Sequence, residues 1–235
     1  PPPPRSPKRS RSPAGALRGA PSTRLSSCWK APLAWSLWPG LARRSMYAAT
    51  TKPRVVFLGD SLTAGLGLSS DQSYPSLIGR KLKDRGYDYE VVNAGVSGDT
   101  SAGGVRRLDW SLDGDVRVLV VALGANDGLR GLPTSELKKN LKAVLDRATA
   151  RNIPVVLTGM EAPPNNGPDY TRDFRNVYAE LAQEYRIRFV PFLLQGVAGD
   201  ASLNQGDGIH PNARGAQIVA DLVWAELEPA LPRPN

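Results

Sequence analysis

Only one histidine occurs in the 235 residues, His210, and it stands in the segment Asp207-Gly208-Ile209-His210-Pro211-Asn212. An imidazole takes and returns protons near neutral pH. A carboxylate three residues earlier, across an Asp-Gly turn, can reach its Nδ1 and hold it in one tautomer. Pro211 stiffens the chain as it leaves this loop. Serine-based acyl transfer also needs a hydroxyl that loses its proton to such a base, and hydrogen-bond donors for the oxyanion. Ser61, in Gly59-Asp60-Ser61-Leu62, follows an apolar run through a turn that raises a hydroxyl off the end of a strand. Asn126, in Gly124-Ala125-Asn126-Asp127, offers a side-chain amide, and Gly98, in Ser97-Gly98-Asp99-Thr100, offers a backbone N–H with no side chain in the way.

Each fragment also has a plainer reading. Asp-Gly is a common turn dipeptide and a lone histidine in it is often just a surface residue. Asp60 and Ser61 suit the start of a helix as well as they suit catalysis. Gly98 and Asn126-Asp127 fit ordinary turns.

The elements needed to position these residues are visible in the hydrophobic pattern. Candidate strands are Arg54–Gly59, Tyr89–Asn93, Val116–Gly124, Val155–Gly159 and Phe189–Phe192. The run Val118 to Leu123 is apolar without alternation, as expected of a strand covered on both faces. Between the strands the period lengthens to that of a helix. Leu137, Leu141, Val144, Leu145 and Ala148 share one face, as do Phe174, Val177, Tyr178, Leu181, Ala182 and Tyr185, and then Ala216, Val219, Ala220, Val223 and Leu227. Asn212 is placed to cap the last of these. Strand–helix alternation predicts a parallel, doubly wound α/β sheet with right-handed crossovers. In such sheets the working groups gather beyond the carboxyl ends of the strands, which is where Ser61, Gly98 and Asn126 fall.

The four blocks Gly59-Asp60-Ser61-Leu62, Gly98 in its loop, Gly124-Ala125-Asn126-Asp127 and Asp207-Gly208-Ile209-His210-Pro211 resemble, in order and spacing, the signature blocks of the GDSL/SGNH hydrolase family. Asn93 to Thr100 and Leu123 to Gly131 are particularly similar to its bacterial thioesterase I/arylesterase/lysophospholipase branch. The resemblance runs from about residue 54 to 231. It implies a flavodoxin-like three-layer α/β/α sandwich with a five-stranded parallel sheet. It further implies Ser61 as nucleophile, Asp207 and His210 as the rest of a catalytic triad, and an oxyanion hole made by the N–H groups of Ser61 and Gly98 and the Asn126 amide, with no metal or organic cofactor. The Gly-x-Ser-x-Gly pattern of ordinary α/β-hydrolases is absent from the chain.

Composition separates residues 1–50 from the rest. Residues 1–45 hold nine basic and no acidic residues, so of the formal charge of +8 the tail carries more than all; residues 46–235, with 21 basic against 22 acidic, come to −1. A basic chain suggests phosphate binding, but the part expected to fold is near neutral, which speaks against a nucleic-acid partner. The tail is dense in Pro, Ser and Arg and is expected to be disordered or a leader. Ala31 to Leu41 faintly resembles a signal-peptide core but is interrupted by Pro32 and Pro39, and Leu25-Ser26-Ser27-Cys28 matches a lipobox in letters only. Met46 offers an alternative start. Cys28 is the single cysteine, so residues 51–235, the expected catalytic domain, hold neither a disulfide nor a cysteine-based metal site. No run approaches the ~20 apolar residues of a membrane-spanning helix. A periplasmic or secreted location and a cytoplasmic one both fit.

The expected activity is hydrolysis of short- to medium-chain carboxylic esters, aryl esters included, through an acyl-enzyme on Ser61. Acyl-CoA thioesterase or lysophospholipase action, and carbohydrate deacetylation, are the alternatives within the family; a non-catalytic binding module on the same fold is a further one. The segment Glu161 to Tyr170, rich in Pro and Gly, is expected to border the acyl pocket.

Overall fold

Val55, Val56, Phe57 and Leu58 have no exposed surface, nor have Val118, Leu119, Val120 and Val121, and strands of that kind belong in a sheet covered on both faces. The computed structural model, which describes residues 52–232, contains such a sheet. Its strands are β1 (Arg54–Gly59), β2 (Glu90–Gly95), β3 (Val116–Ala122), β4 (Val155–Thr158) and β5 (Arg188–Val190), all parallel and in the order β2-β1-β3-β4-β5. The α-helices among the described residues are α1 (Ser61–Ala64), α2 (Tyr74–Asp84), α3 (Ser101–Arg106), α4 (Leu108–Ser111), α5 (Ala125–Leu129), α6 (Thr134–Ala150), α7 (Pro168–Tyr185) and α8 (Ala213–Leu227). Helix α2 packs with α8, and α6 with α7 and α3, completing a three-layer α/β/α sandwich.

The predicted helical faces are the buried ones: Leu137, Leu141, Val144, Leu145 and Ala148 on α6, and Val219, Ala220, Val223 and Leu227 on α8, all face the core. Asn212 caps α8, its Oδ1 accepting from the N–H groups of Arg214 and Gly215. Strand ends differ from expectation by a few residues. β2 runs on to Gly95, because Ala94 and Gly95 keep the parallel pairing with Leu58 and Gly59 of β1. β3 stops at Ala122, since Leu123 O is taken by the buried Tyr178 hydroxyl. β5 stops before Pro191, which has no N–H to give to a ladder. Helix α2 was not among the expected elements. The tail of residues 1–50, with Cys28, the segment Ala31 to Leu41 and Met46, lies outside the described residues.

The strand order reverses at β1, whose chain goes on to β2 on one side while β3 pairs on the other. The crevice beyond the carboxyl ends of β1 and β3 is the topological switch point. At Gly59 a Cβ would stand 1.9 Å from Thr63 Oγ1 and 2.9 Å from Ala122 O. Only glycine lets α1 fold back this closely over the ends of β1 and β3.

Candidate active site

Asp60 and Ser61 divide the two roles their sequence left open. Asp60 is the N-cap of α1, its Oδ1 accepting from Leu62 N at 3.0 Å, so the cap reading holds for the aspartate. Ser61, the first helical residue, turns its hydroxyl the other way, and Oγ lies 2.9 Å from His210 Nε2. His210 Nδ1 is in turn 2.6 Å from Asp207 Oδ2. The Asp207 carboxylate is fixed by its own loop, where Oδ1 accepts from the N–H groups of both Ile209 and His210 at 3.0 Å. Hydrogen bonding to the imidazole, and then to these two backbone N–H groups, pulls the Asp207 carboxyl down to about 2. A carboxylate ionised at neutral pH beside Nδ1 favours the tautomer whose Nε2 lone pair faces the serine hydroxyl, and both distances lie within reach for proton transfer.

Asn126 is the second residue of α5 and lines the same cavity as Ser61 and His210. Its Nδ2 donates one hydrogen to Asp99 O at 2.9 Å, which orients the amide and leaves the other hydrogen for an oxyanion. Gly98 precedes Asp99 in the loop between β2 and α3 and has φ +82°, a left-handed conformation natural to glycine. Its carbonyl accepts from Arg130 Nη2 at 2.9 Å. Gly98 is not among the residues lining the cavity. The structure thus brings Ser61, His210, Asp207 and Asn126 together and holds Gly98 one residue from the carbonyl that tethers Asn126.

Several supporting residues carry no signal of their own in the sequence. Arg107 reaches Gly59 O (2.6 Å), Ala94 O (2.5 Å) and Asp99 Oδ2 (2.7 Å) with one guanidinium. Gln205 donates from Nε2 to Leu66 O at 2.7 Å and Pro211 O at 3.0 Å, joining the turn after α1 to the His210 loop. Asp127 is buried and accepts from Ser101 N at 2.7 Å and Ser101 Oγ at 2.6 Å, which ties the start of α3 to α5. Asp60, also buried, has its carboxyl pushed up to about 6, chiefly by loss of hydration, against the lowering effect of its bond from Leu62 N and of the nearby His210.

The cavity has a volume of ≈ 300 Å³ and its walls include Leu129, Met160, Phe192, Leu194 and Ile209. Of the expected Glu161–Tyr170 wall only Glu161, Ala162 and Pro163 line it; Pro164–Asn166 form a 3₁₀ turn and Pro168 begins α7. Among the described residues no group of three or more His, Cys, Asp or Glu side chains is placed to hold a metal ion.

A serine, an imidazole and a carboxylate in a hydrogen-bonded line at the switch point of a five-stranded parallel sheet define the architecture of the SGNH hydrolases. The family model described as GDSL-like Lipase/Acylhydrolase matches residues 57–218, and the chain belongs to that family. It is 43% identical over 178 residues to the esterase TesA of Pseudomonas aeruginosa, covering 75% of this chain and 89% of that protein. It is 34% identical to the protein named thioesterase 1/protease 1/lysophospholipase L1 of Escherichia coli K12, covering 78% of this chain and 87% of the relative. The crystal structure of AlinE4, described as an SGNH-hydrolase family esterase, superposes with a TM-score of 0.64 at 40% identity, covering 78% of this chain and 98% of that one.

Proposed function

We propose that the chain hydrolyses short- to medium-chain carboxylic esters, aryl esters included, with Ser61 as nucleophile, His210 as base and Asp207 as the residue that orients the base. The chain is a carboxylic ester hydrolase of the GDSL/SGNH type, and what carries the residue assignment is the position of His210 between Ser61 Oγ and Asp207 Oδ2. In this scheme His210 Nε2 takes the Ser61 proton as Oγ bonds to the acyl carbon. The tetrahedral oxyanion is met by the free Asn126 N–H, with the N–H groups of Ser61 and Gly98 as the further donors. The imidazolium gives its proton to the leaving oxygen, the C–O bond to the alcohol breaks, and the acyl group stays on Ser61. Water, deprotonated by the same imidazole, repeats the sequence and releases the acid with Ser61 regenerated.

The test is a stopped-flow assay with p-nitrophenyl acetate and butyrate on the full chain and on Ser61→Ala. A burst of p-nitrophenol stoichiometric with enzyme, absent from Ser61→Ala, is the expected result; a Ser61→Ala protein that still turns over the ester refutes the assignment. The E. coli relative named as a thioesterase favours acyl thioesters as the second substrate class, since an acyl-enzyme on Ser61 forms equally from either leaving group. A decanoyl-CoA arm in the same assay separates the two, and an acetylated sugar arm tests deacetylation.

We further infer that residues 51–235 are the catalytic unit, that residues 1–45 take no part in turnover, and that nucleic acid is not a partner. All five expected site residues fall within that unit, and residues 46–235 carry a formal charge of only −1. Removing residues 1–45 should leave kcat/KM unchanged, and the full chain should show no steeply salt-dependent binding to DNA or RNA.

A further inference from the structure

The line from Ser61 to His210 crosses between two segments of chain that share few polar contacts. Ser61 opens α1, which is followed by the turn from Gly65 to Leu68. His210 ends a loop whose internal shape is fixed by its own bonds. Gln205 N donates to His210 O at 2.7 Å, Gly208 N donates to Gln205 O at 2.9 Å, and Asp207 Oδ1 takes the N–H groups of Ile209 and His210. These bonds hold the imidazole to its loop but do not decide where the loop stands against α1. Among the described residues, only two hydrogen bonds join residues 60–68 to residues 203–212: the one between Ser61 Oγ and His210 Nε2, and one from Gln205 Nε2 to Leu66 O at 2.7 Å.

We propose that Gln205 is a positioning residue for ester hydrolysis: its side-chain amide holds the His210 loop against the turn after α1 and so sets the separation of His210 Nε2 from Ser61 Oγ. This rests on the reading of Ser61 as nucleophile and His210 as its base.

The amide is suited to this by its two donors. One Nε2 hydrogen goes to Leu66 O and the other to Pro211 O at 3.0 Å, so a single planar group spans the turn after the hydroxyl and the residue after the imidazole. The reverse orientation would set Oε1 against two carbonyl oxygens, which fixes which end of the amide is nitrogen. The turn passes close beside it, since a Cβ at Gly67 would stand 2.0 Å from Gln205 Oε1. Packing does less to seat the loop. Ser61, Leu66, His210 and Pro211 border a cavity of ≈ 10 Å³ between the two segments, and apolar contact has no direction of its own. Proton transfer, in contrast, needs a separation within hydrogen-bond reach, and a misplacement of about 1 Å can cost ~10²-fold in rate. Without the tie the loop drifts as a unit. Acylation and deacylation use the same imidazole, so both slow together and KM holds.

The experiment measures burst and steady-state kinetics with p-nitrophenyl butyrate on the full chain, with Gln205→Ala, Gln205→Glu, Gly67→Ala and the double variant Gly67→Ala/Gln205→Ala, each beside a thermal melt. Gln205→Ala should lower kcat by about 10–100-fold, with KM within about twofold of the parent and a burst still stoichiometric with enzyme. Gln205→Glu, of equal size but with a carboxylate facing two carbonyl oxygens, should be at least as slow. Gly67→Ala leaves the glutamine in place and pushes its amide off Leu66 O. It should therefore lower kcat in the parent and have no further effect once Gln205 is alanine. A Gln205→Ala or Gln205→Glu protein that keeps the parent kcat overturns the proposal. So does a loss of kcat that only tracks the loss of folded protein in the melts, and so do fully additive losses in the double variant. Hydrolysis by the parent that Ser61→Ala abolishes is the separate measure of the underlying reading, so failure of one is told apart from failure of the other.

Discussion

Arg107 donates from Nη2 to the carbonyl oxygen of Gly59 at 2.6 Å, two residues before Ser61, across 48 positions of sequence. The same guanidinium holds Ala94 O at the end of β2 and pairs with Asp99, whose own carbonyl orients Asn126. One side chain thereby fixes both the strand that leads to Ser61 and the loop that carries Gly98. Only about a sixth of either partner's side chain is exposed, so the pair is poorly screened by solvent.

Arg107→Lys is expected to lower stability by about 2–4 kcal/mol, because an ammonium cannot satisfy three acceptors in a planar fork and Asp99 is left partly unpaired. As a positioning residue, Arg107 should affect kcat more than KM. Urea unfolding together with steady-state kinetics checks both; a stability loss with kcat intact would make its role purely structural.

Asp207→Asn separates tautomer control from loop geometry. The asparagine Oδ1 can still accept from Ile209 N and His210 N, but its amide nitrogen now faces Nδ1. The imidazole then carries its proton on Nε2 and cannot take one from Ser61. A fall in kcat of about 10³–10⁴-fold with little change in melting temperature is expected. Activity within tenfold of the parent would show that the carboxylate is dispensable.

Asn126→Ala removes the amide proposed as an oxyanion donor without touching the three residues in line. We expect kcat to fall by about 10²–10³-fold and KM to move little, because the bond to the oxygen forms only as charge develops on it. Loss of the tether to Asp99 O predicts a small stability cost as well, read in the same thermal melts.

Asp60 and Asp207 set opposite slopes in the pH dependence of stability. The Asp60 carboxyl, at about 6 in the fold against 3.8 when exposed, favours the folded state fully below pH 3.8 and loses that contribution as the pH rises through 6, by ~3 kcal/mol at neutrality. Asp207, drawn down to about 2, contributes above pH 3.8 and loses its contribution as the pH falls toward 2. Asp60→Asn keeps an acceptor for Leu62 N and carries no charge, so it should be more stable than the parent at pH 7.5 and equal to it at pH 4. Urea unfolding at the two pH values decides; equal stability at pH 7.5 would mean that Asp60 stays hydrated.

The sequence was sufficient for whatever depends on local periodicity or on residue type. The unbroken apolar run of β3, the 3.6-residue faces of α6, α7 and α8, the Asn212 cap and the residues Ser61, Asn126, Asp207 and His210, which the fold brings together, could all be picked out there, since each shows itself within a few positions. Helix α2, whose buried face is Tyr74, Leu77, Ile78 and Leu82, was missed because its mostly polar exposed side and the turn residues before it masked the pattern. Tertiary structure alone decided the rest. The bond from His210 to Ser61 spans 149 positions, that from Gln205 to Leu66 spans 139, and Arg107 joins the ends of β1 and β2 to the loop before α3. Such polar contacts are single events between distant points of the chain and leave no period behind. The cavity beside Ser61 likewise exists only where loops after four different strands meet, so its depth follows from packing and not from any one segment.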